Sequence, residues 1–553
     1  MTTAGQRQHF KSRVARAING RRLLDLLMLL VFAASTAHVA GLWSDIKPAP
    51  RVIYVAPDGS NWHDGSHPRR ALKTVQFAAD RARPGSEIVI LPGVYHERVH
   101  LRRGGTAANP ITIRAQQPGT VTITGEAPSH VTANWRWKSE GDDVYSTQVD
   151  YPVYRLRCDQ RTLYRVIYGG LDKFRELVAR PHAMPAFYFE APRLYVFLGP
   201  EQNPGNVRLR THRRVPVPRE WGEFKSAQIW CEADHVKLEA LQLDFGIGSG
   251  ILLWNAAHVT ISDCSVRGST FGIDGTRGLK PSVGLTVENC LYHNFPQAEW
   301  RQRWLSWDEV YASYSSSSLV ASQDDQSVVR NNLVVHAGDA LQVTTRDDRP
   351  VRYGALIKEN LLAAGTDDAF EFDGPARNIT VSHNLVYNFH QNLGVSPVLD
   401  GPVLITDNLF LHPADELNGS QIKLISNHGP TGPAIRNVAV SGNTFVGNWL
   451  YWTDGCPLSN VAIRDNVFAV QHLRSSKWPT GVKDQGNRYV KLPPGGYPNP
   501  GRERQWFQAG NDQPATETRK PWSLPHPGPR WMDPWGHECT RSALEGLTKS
   551  VVQ

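Results

Sequence analysis

One short phrase recurs along this chain, and it restricts the possible folds more than any other feature. From residue 236 onward, alternating β-branched and polar residues lead to an Asn or Cys, and a second short apolar run follows. The copies read VTISDCSV, LTVENCLY, VVRNNLVV, LIKENLLA, TVSHNLVY, LITDNLFL, AVSGNTFV and AIRDNVFA. Their reference residues are Cys264, Cys290, Asn332, Asn360, Asn384, Asn408, Asn443 and Asn466, separated by 26, 42, 28, 24, 24, 35 and 23 residues. Strand-type alternation at such a period, without helical spacing, predicts a parallel β-solenoid with one repeat per coil. Solenoids lengthen by adding coils, so 553 residues need not mean several separate cores.

The recurring Asn has a structural task. An inward amide at a bend needs partners, and asparagines stacked about 4.8 Å apart along the axis satisfy one another and nearby backbone. Cys264 and Cys290 occupy the same place and read as small stacked core residues. The longer intervals mark loops inserted at a corner, where a solenoid builds its binding cleft.

The opening supplies a second set of signals: YVAPDGSNWHDGS, then ALKTVQFAADRARPGSEIVILPGVYHERVHL, then PITIRAQQPGTVTITG. The middle phrase predicts an amphipathic helix from about Leu72 to Ala82 that caps the first coil, a turn at Pro84 and Gly85, and a strand. This opening and the Asn-centred coils together resemble the pectin lyase-like proteins, including pectate, alginate and chondroitin lyase families. The likeness covers residues 52–128 and 236–470 and implies an all-β, right-handed parallel β-helix with an N-terminal capping helix.

Three other segments lie outside that pattern. Residues 131–235 break the repeat with WRW, VYRLRC and FYFEAPRLYVFLGP and read as an antiparallel β-rich insertion. Residues 471–553 turn to Pro, Gly and Trp and read as an irregular wrap over the last coil. In residues 1–48, Arg13, Arg16, Arg21 and Arg22 precede an apolar run from Leu23 to about Trp43, which reads as a cleaved signal peptide or an N-terminal membrane anchor. Either outcome places the remainder outside the cytoplasm, with membrane contact only through that segment. Pairing among Cys158, Cys231, Cys456 and Cys539 is not readable from sequence. The net charge of +8 leans toward acidic partners, and the absence of any nucleic-acid motif in an exported chain argues against nucleic acid. A capped first coil and a covered last one predict a monomer.

The candidate chemistry sits where two coils align. GDALQVTTR matches TDDAFEFDG, so Asp339 stacks beside Asp368, Gln342 beside Glu371 and Thr344 beside Asp373. Continuing the register puts Ser396 and then Lys423 in the Glu371 column. Strand alternation turns Glu371 and Asp373 away from Phe370 and Phe372, toward a groove, with Lys423 about 10 Å from Glu371. Lysis of a uronate polymer needs its carboxylate neutralised and its C5 proton removed, which Ca²⁺ on carboxylates and a basic residue can do. Asp339, Asp368, Glu371 and Asp373 are accordingly the metal candidates. Lys423 is the candidate base, with Glu371, Asp368 and His390 as further catalytic candidates, and His383 and His428 lie in nearby coils. Arg346 and Arg349 are candidates for holding substrate carboxylates. Trp304 and Trp307, within EWRQRWLSWDEVYASYSS, could cover sugar rings, although their helical spacing also suits a flap packed on the solenoid.

These residues point to a carbohydrate-active protein acting on an acidic polysaccharide by lysis. C5 epimerisation would use the same groove. The order of Asp339, the pair Asp367 and Asp368, and Ile422 before Lys423 is also similar to the polygalacturonase pattern, which implies hydrolysis. The Asn-Thr lead and the Gly-His-Gly element of that pattern are missing, with only FHQNLG around His390. A noncatalytic solenoid that binds polysaccharide or scaffolds its export is the alternative from a different class.

Overall fold

The computed structural model describes residues 51–158, 161–214, 226–276, 283–293, 318–322, 326–344, 354–363, 365–412, 419–472 and 478–492, together with 305, 306, 308, 309 and the strands Arg530–Met532 and Glu538–Thr540. Residues 1–48, Trp304, Trp307, Arg346 and Arg349 lie outside them. Among the described residues no helix is long and apolar enough to cross a membrane.

The chain winds as a right-handed parallel β-helix whose coils each contribute short strands to three faces. The first face is a 13-stranded sheet running from Val52–Val55 to Val482–Gln485. The second face carries the strands that follow each ladder position, such as Leu333–Val335, Leu361–Ala363 and Leu385–Tyr387, paired in parallel. The third face includes Leu341–Thr344, Asp368–Gly374, Gln391–Val398 and Ser420–Leu424. Every strand between the two ends of such a stack is hydrogen-bonded on both sides, and apolar β-branched residues fill the interior while polar ones alternate outward. Ile111–Ala115 shows this in miniature, with Ile111, Ile113 and Ala115 buried between half-buried Thr112 and Arg114.

The ladder fixes the corner between the first and second faces. Asn332 Nδ2 donates to Asn360 Oδ1 at 2.9 Å, and the same donation passes from Asn360 to Asn384, Asn408, Asn443, Asn466 and Asn487. Each of these Oδ1 atoms also accepts the backbone N–H of the preceding rung. Every second Nδ2 proton goes to a strand carbonyl, as from Asn384 to Ile357 at 3.1 Å. The residue before the rung turns the chain: Asp263, Asn289, Asn331, Glu359, His383, Asp407 and Asp465 have φ between 53° and 59°. That left-handed conformation costs on the order of 1 kcal/mol for a non-glycine residue, and the amide relay holds it in place. His383 is therefore an exposed corner residue, away from the third face that carries the acids. Cys264 and Cys290 are 2% exposed at the start of the same line. Among the described residues, Cys231, Cys264, Cys290 and Cys456 form no disulfide.

Both ends of the stack differ from the sequence expectation in extent. The capping helix is Val75–Ala79, shorter than 72–82, because Thr74 and Glu97 accept its first N–H groups and fix its start. It seals the first coil with Val75, Ala78 and Ala79. At the other end the coils continue past 470: Val482–Gln485 and Arg488–Lys491 pair in parallel with the preceding coil, and Asn487 is a further rung. The insertion expected over 131–235 also ends earlier, since Ala227–Cys231 already stacks between Val99–Leu101 and Ser249–Leu253. Its sheet joins Lys138–Ser139, Val144–Gln148, Arg193–Phe197 and Ala186–Glu190 in antiparallel pairs, with Tyr164–Val166 added in parallel and the helix Gly170–Val178 packed through Phe174 and Leu177. Arg157 ties the insertion to the solenoid through a two-bonded ion pair with Asp244, at 2.6 and 2.9 Å.

Because Asn384 accepts two donors of Asn360 and donates to the Ile357 carbonyl and to Asn408 Oδ1, Asn384→Ala is expected to cost at least about 3 kcal/mol through buried groups left without partners. Asn487→Ala, at the half-buried last rung, should cost roughly half as much or less. Denaturant unfolding of the two variants checks the gradient; equal costs would mean that the ladder does not act as a buried relay.

Candidate active site

The third face assembles the acids through strand register. Leu341–Thr344 pairs with Asp368–Gly374 so that Gln342 lies beside Glu371 and Thr344 beside Asp373, as the repeat alignment predicts. Phe370 and Phe372 are fully buried, and Glu371 and Asp373 are half-buried on the opposite side. The next coil corrects the sequence reading. Glu371 pairs with Gly394, not Ser396, and Gly394 pairs with Lys423. The outward column is thus Gln342, Glu371, Gly394, Lys423, and then Trp452.

Gly394 explains how Lys423 reaches the acids. A Cβ on this glycine would lie 2.4 Å from Asp368 Oδ2 and 2.6 Å from its Cγ, so the missing side chain is the space the carboxylate occupies. Through that gap Lys423 Nζ donates to Asp368 Oδ2. Asp339 completes the arrangement from the neighbouring coil: its Oδ1 accepts the Asp368 N–H at 3.0 Å and its Oδ2 accepts from Gln342 Nε2 at 2.5 Å. One carboxylate oxygen from each of Asp339, Asp367 and Asp368 lies within 4.8 Å of the others. Asp368 is 0% exposed and Lys423 8%, yet Asp368 Oδ1 has no hydrogen-bond partner.

So many carboxylates around one ammonium leave the cluster short of positive charge. Burial, then the neighbouring Glu371, Asp367 and Asp368, hold the Asp339 carboxyl well above the usual carboxylate range. Burial and the adjacent Asp368 push Glu371 up to about 7. Burial and Glu371 likewise raise Asp373 well above its ordinary value. For Lys423 burial works against the charge, but Asp368, Asp367 and Glu371 outweigh it, so the resting side chain is an ammonium. With Asp368 as its counter-ion the Lys423 amine is held in its protonated form, so its use as a base depends on losing that counter-ion.

The orphaned Asp368 oxygen, beside two more carboxylates within 4.8 Å, fits a hard divalent cation such as Ca²⁺, which takes oxygen ligands at short range. Asp339, Asp367 and Asp368 would hold it, with Glu371 and Asp373 on the groove side. His390 occupies the corner immediately before Gln391–Val398 and is half-buried. His428 is exposed in the turn after Ser426. Sequence reasoning missed Gly394 and Trp452. A glycine interrupting the strand pattern of NLGVSPV was the available sign of a close approach, while nothing in the repeat marked Trp452.

Two family models agree with this architecture. A family model described as "Right handed beta helix region" matches residues 227–410, and one described as "Chondroitinase B" matches residues 70–136. The fold is the right-handed parallel β-helix of pectin lyase-like proteins. A Bacillus subtilis protein, YwoF, is 33% identical over 75 residues, 14% of this chain and 16% of that one. Pectate lyase PEL9 of Emericella nidulans is 37% identical over 76 residues, 13% of this chain and 18% of that one. The chain thus matches less than a fifth of the length of these curated relatives. Among solved structures, XylC in complex with xylose has 12% identity and a TM-score of 0.43, covering 79% of this chain and 70% of that one. Pectate lyase Pel9A has 12% identity and a TM-score of 0.32, covering 80% and 77%.

Glu371 gives a pH test with a definite sign. Its carboxyl rises on folding, so the folded state loses stability as pH climbs from the ordinary Glu value of 4.5 through about 7. Glu371→Gln is therefore expected to melt like the parent near pH 4 and above it at pH 8 in chelator. A melting advantage that is the same at both pH values would show that Glu371 is not perturbed by this cluster.

Proposed function

We propose that the protein is an extracytoplasmic carbohydrate-active enzyme that cleaves an acidic, uronate-containing polysaccharide by β-elimination on the third face. The observation that carries this reading is the convergence of Asp339, Asp367 and Asp368 on one buried, incompletely satisfied spot with Lys423 beside it. The local likeness to pectate lyase PEL9, and the basic and apolar leader expected in residues 1–48, support the substrate class and the location.

In the reaction, the C5 proton passes to the Lys423 amine, the released pair forms the C4–C5 double bond, and the C4–O bond breaks. The departing glycosyl oxygen takes a proton from water. Asp339, Asp367 and Asp368 would hold a divalent cation, which would supply the positive charge to neutralise the uronate carboxylate and would disfavour the ammonium form of Lys423. With Asp368 turned to that cation, its hold on Lys423 would weaken and the Lys423 amine would serve as the base. Gly394 keeps the Asp368 carboxylate in reach of both roles.

Hydrolysis is the second reading. Asp339, Asp367 and Asp368 gather near Lys423 in the order that resembles polygalacturonases, and burial keeps Asp339 inclined to hold a proton, as an acid catalyst must.

The purified protein, incubated with alginate, pectate or glycosaminoglycans in Ca²⁺, is expected to produce alkene absorbance that chelator abolishes. Lys423→Ala should lower that rate by about 10²–10⁴-fold, the usual contribution of a positioned base. New reducing ends without alkene would instead establish the hydrolase. Polymer retention without either product would leave a noncatalytic binder. Gly394→Ala, which forces the Asp368 carboxylate aside, should lower activity at least about tenfold and weaken Ca²⁺ binding read by calorimetry; unaltered Ca²⁺ affinity would remove Asp368 from the cation site.

A further inference from the structure

Among the described residues, Trp452 is one of the few large apolar side chains left in water, at 44% exposure. Single exposed aromatics are common, so exposure alone says little. Its place in the register is what separates it from an ordinary surface residue. Lys423 pairs with Trp452 on the next coil, which continues the outward column of Glu371, Gly394 and Lys423 by one step.

The strand that carries this indole is held firmly. Leu450 and Tyr451, just before it, are buried in the core. Two residues later, Asp454 accepts the backbone N–H groups of Ser426 and Gly429, each at 3.0 Å, so the turn following the Lys423 strand is pinned to the Trp452 strand. Trp449, three residues earlier, is half-buried and stacks on His472 with ring centroids 4.4 Å apart. Trp452 thus stands on a rigid support beside an ammonium that donates only to Asp368 among the described residues and has three protons to give.

We propose that Trp452 is a sugar-stacking subsite, one coil beyond Lys423, that seats a pyranose ring of an acidic polysaccharide lying along the solenoid axis. The inference rests on the uronate reading above and adds to it the direction and reach of the substrate. An indole face covers the C–H face of a sugar ring, while the hydroxyls and carboxylate stay free for polar partners at the edge. From Glu371 to Trp452 is three coil spacings, about 14 Å. That span exceeds two linked sugar rings, so a dimer seated over Asp368 and Glu371 does not reach Trp452 and a hexamer does.

The test uses the full chain with Lys423→Arg in every protein, which keeps the positive charge and removes the base. Hexamers and dimers of mannuronate, guluronate and galacturonate are titrated calorimetrically in Ca²⁺ against this parent and against its Trp452→Ala and Trp452→Phe forms. The expected result is at least a tenfold loss of affinity for the best hexamer in Trp452→Ala, substantial recovery in Trp452→Phe, and equal dimer binding by all three. Unchanged melting temperatures confirm that the variants fold. Hexamer affinity unaltered by Trp452→Ala would overturn the subsite while leaving the uronate reading intact. Equal weakening of dimers and hexamers would also overturn it, since the short ligands do not extend to Trp452. Failure of every uronate to bind the parent would overturn both the subsite and the reading beneath it.

Discussion

The relay of asparagine amides from Asn332 to Asn487 is the interaction on which the rest of the molecule depends. A β-helix turns its chain three times per coil while keeping each strand in register with the one below. A bend that left buried amides unpaired would cost more than the added strands return. The ladder removes that cost at one corner, and does so identically in successive coils. The aromatic stack inside follows the same spacing, with Phe410, Phe445 and Phe468 centred 4.5 and 4.8 Å apart. Polar and apolar contacts thus enforce a single axial repeat.

The third face converts that repeat into chemistry. Parallel register places equivalent residues of successive coils next to each other, so acids at matching positions become neighbours although 29 residues separate Asp339 from Asp368. Burying carboxylates is unfavourable and stacking them beside one another adds to it, and the raised carboxyl pKa values record both costs. Lys423 relieves part of it, with Gly394 leaving the passage through which the ion pair forms. Natural cores seldom keep three acids so close, which is why this patch stands apart from the turn-capping aspartates at the corners, such as Asp263 and Asp407.

Much of this was legible in the repeat. The pairing of Gln342 with Glu371, the outward direction of Glu371 and Asp373, and the placement of Lys423 in the same column all follow from two-residue alternation. Ser396 was misplaced because the connection between the second and third faces changes length. Glu371 lies 11 residues after its ladder Asn, Gly394 10 after its own, and Lys423 15 after the next. No local rule fixes those lengths. The same ambiguity hid the last coil, where GNRYV continues the phrase within a segment whose composition suggested an irregular wrap.

By itself, the sequence determined the solenoid, its axial repeat and the face each strand residue takes, because period and side-chain alternation are local properties that survive without knowledge of the partner strand. Tertiary structure alone decided the ion pair between Asp368 and Lys423, the gap at Gly394 and the position of Trp452 at the end of the column. Those depend on the lengths of corners and insertions, through which residues distant in the chain come into register. Electrostatic character followed from that register too: Lys423 reads as a free basic side chain in sequence and becomes a buried counter-ion only when its coil settles beside Asp368.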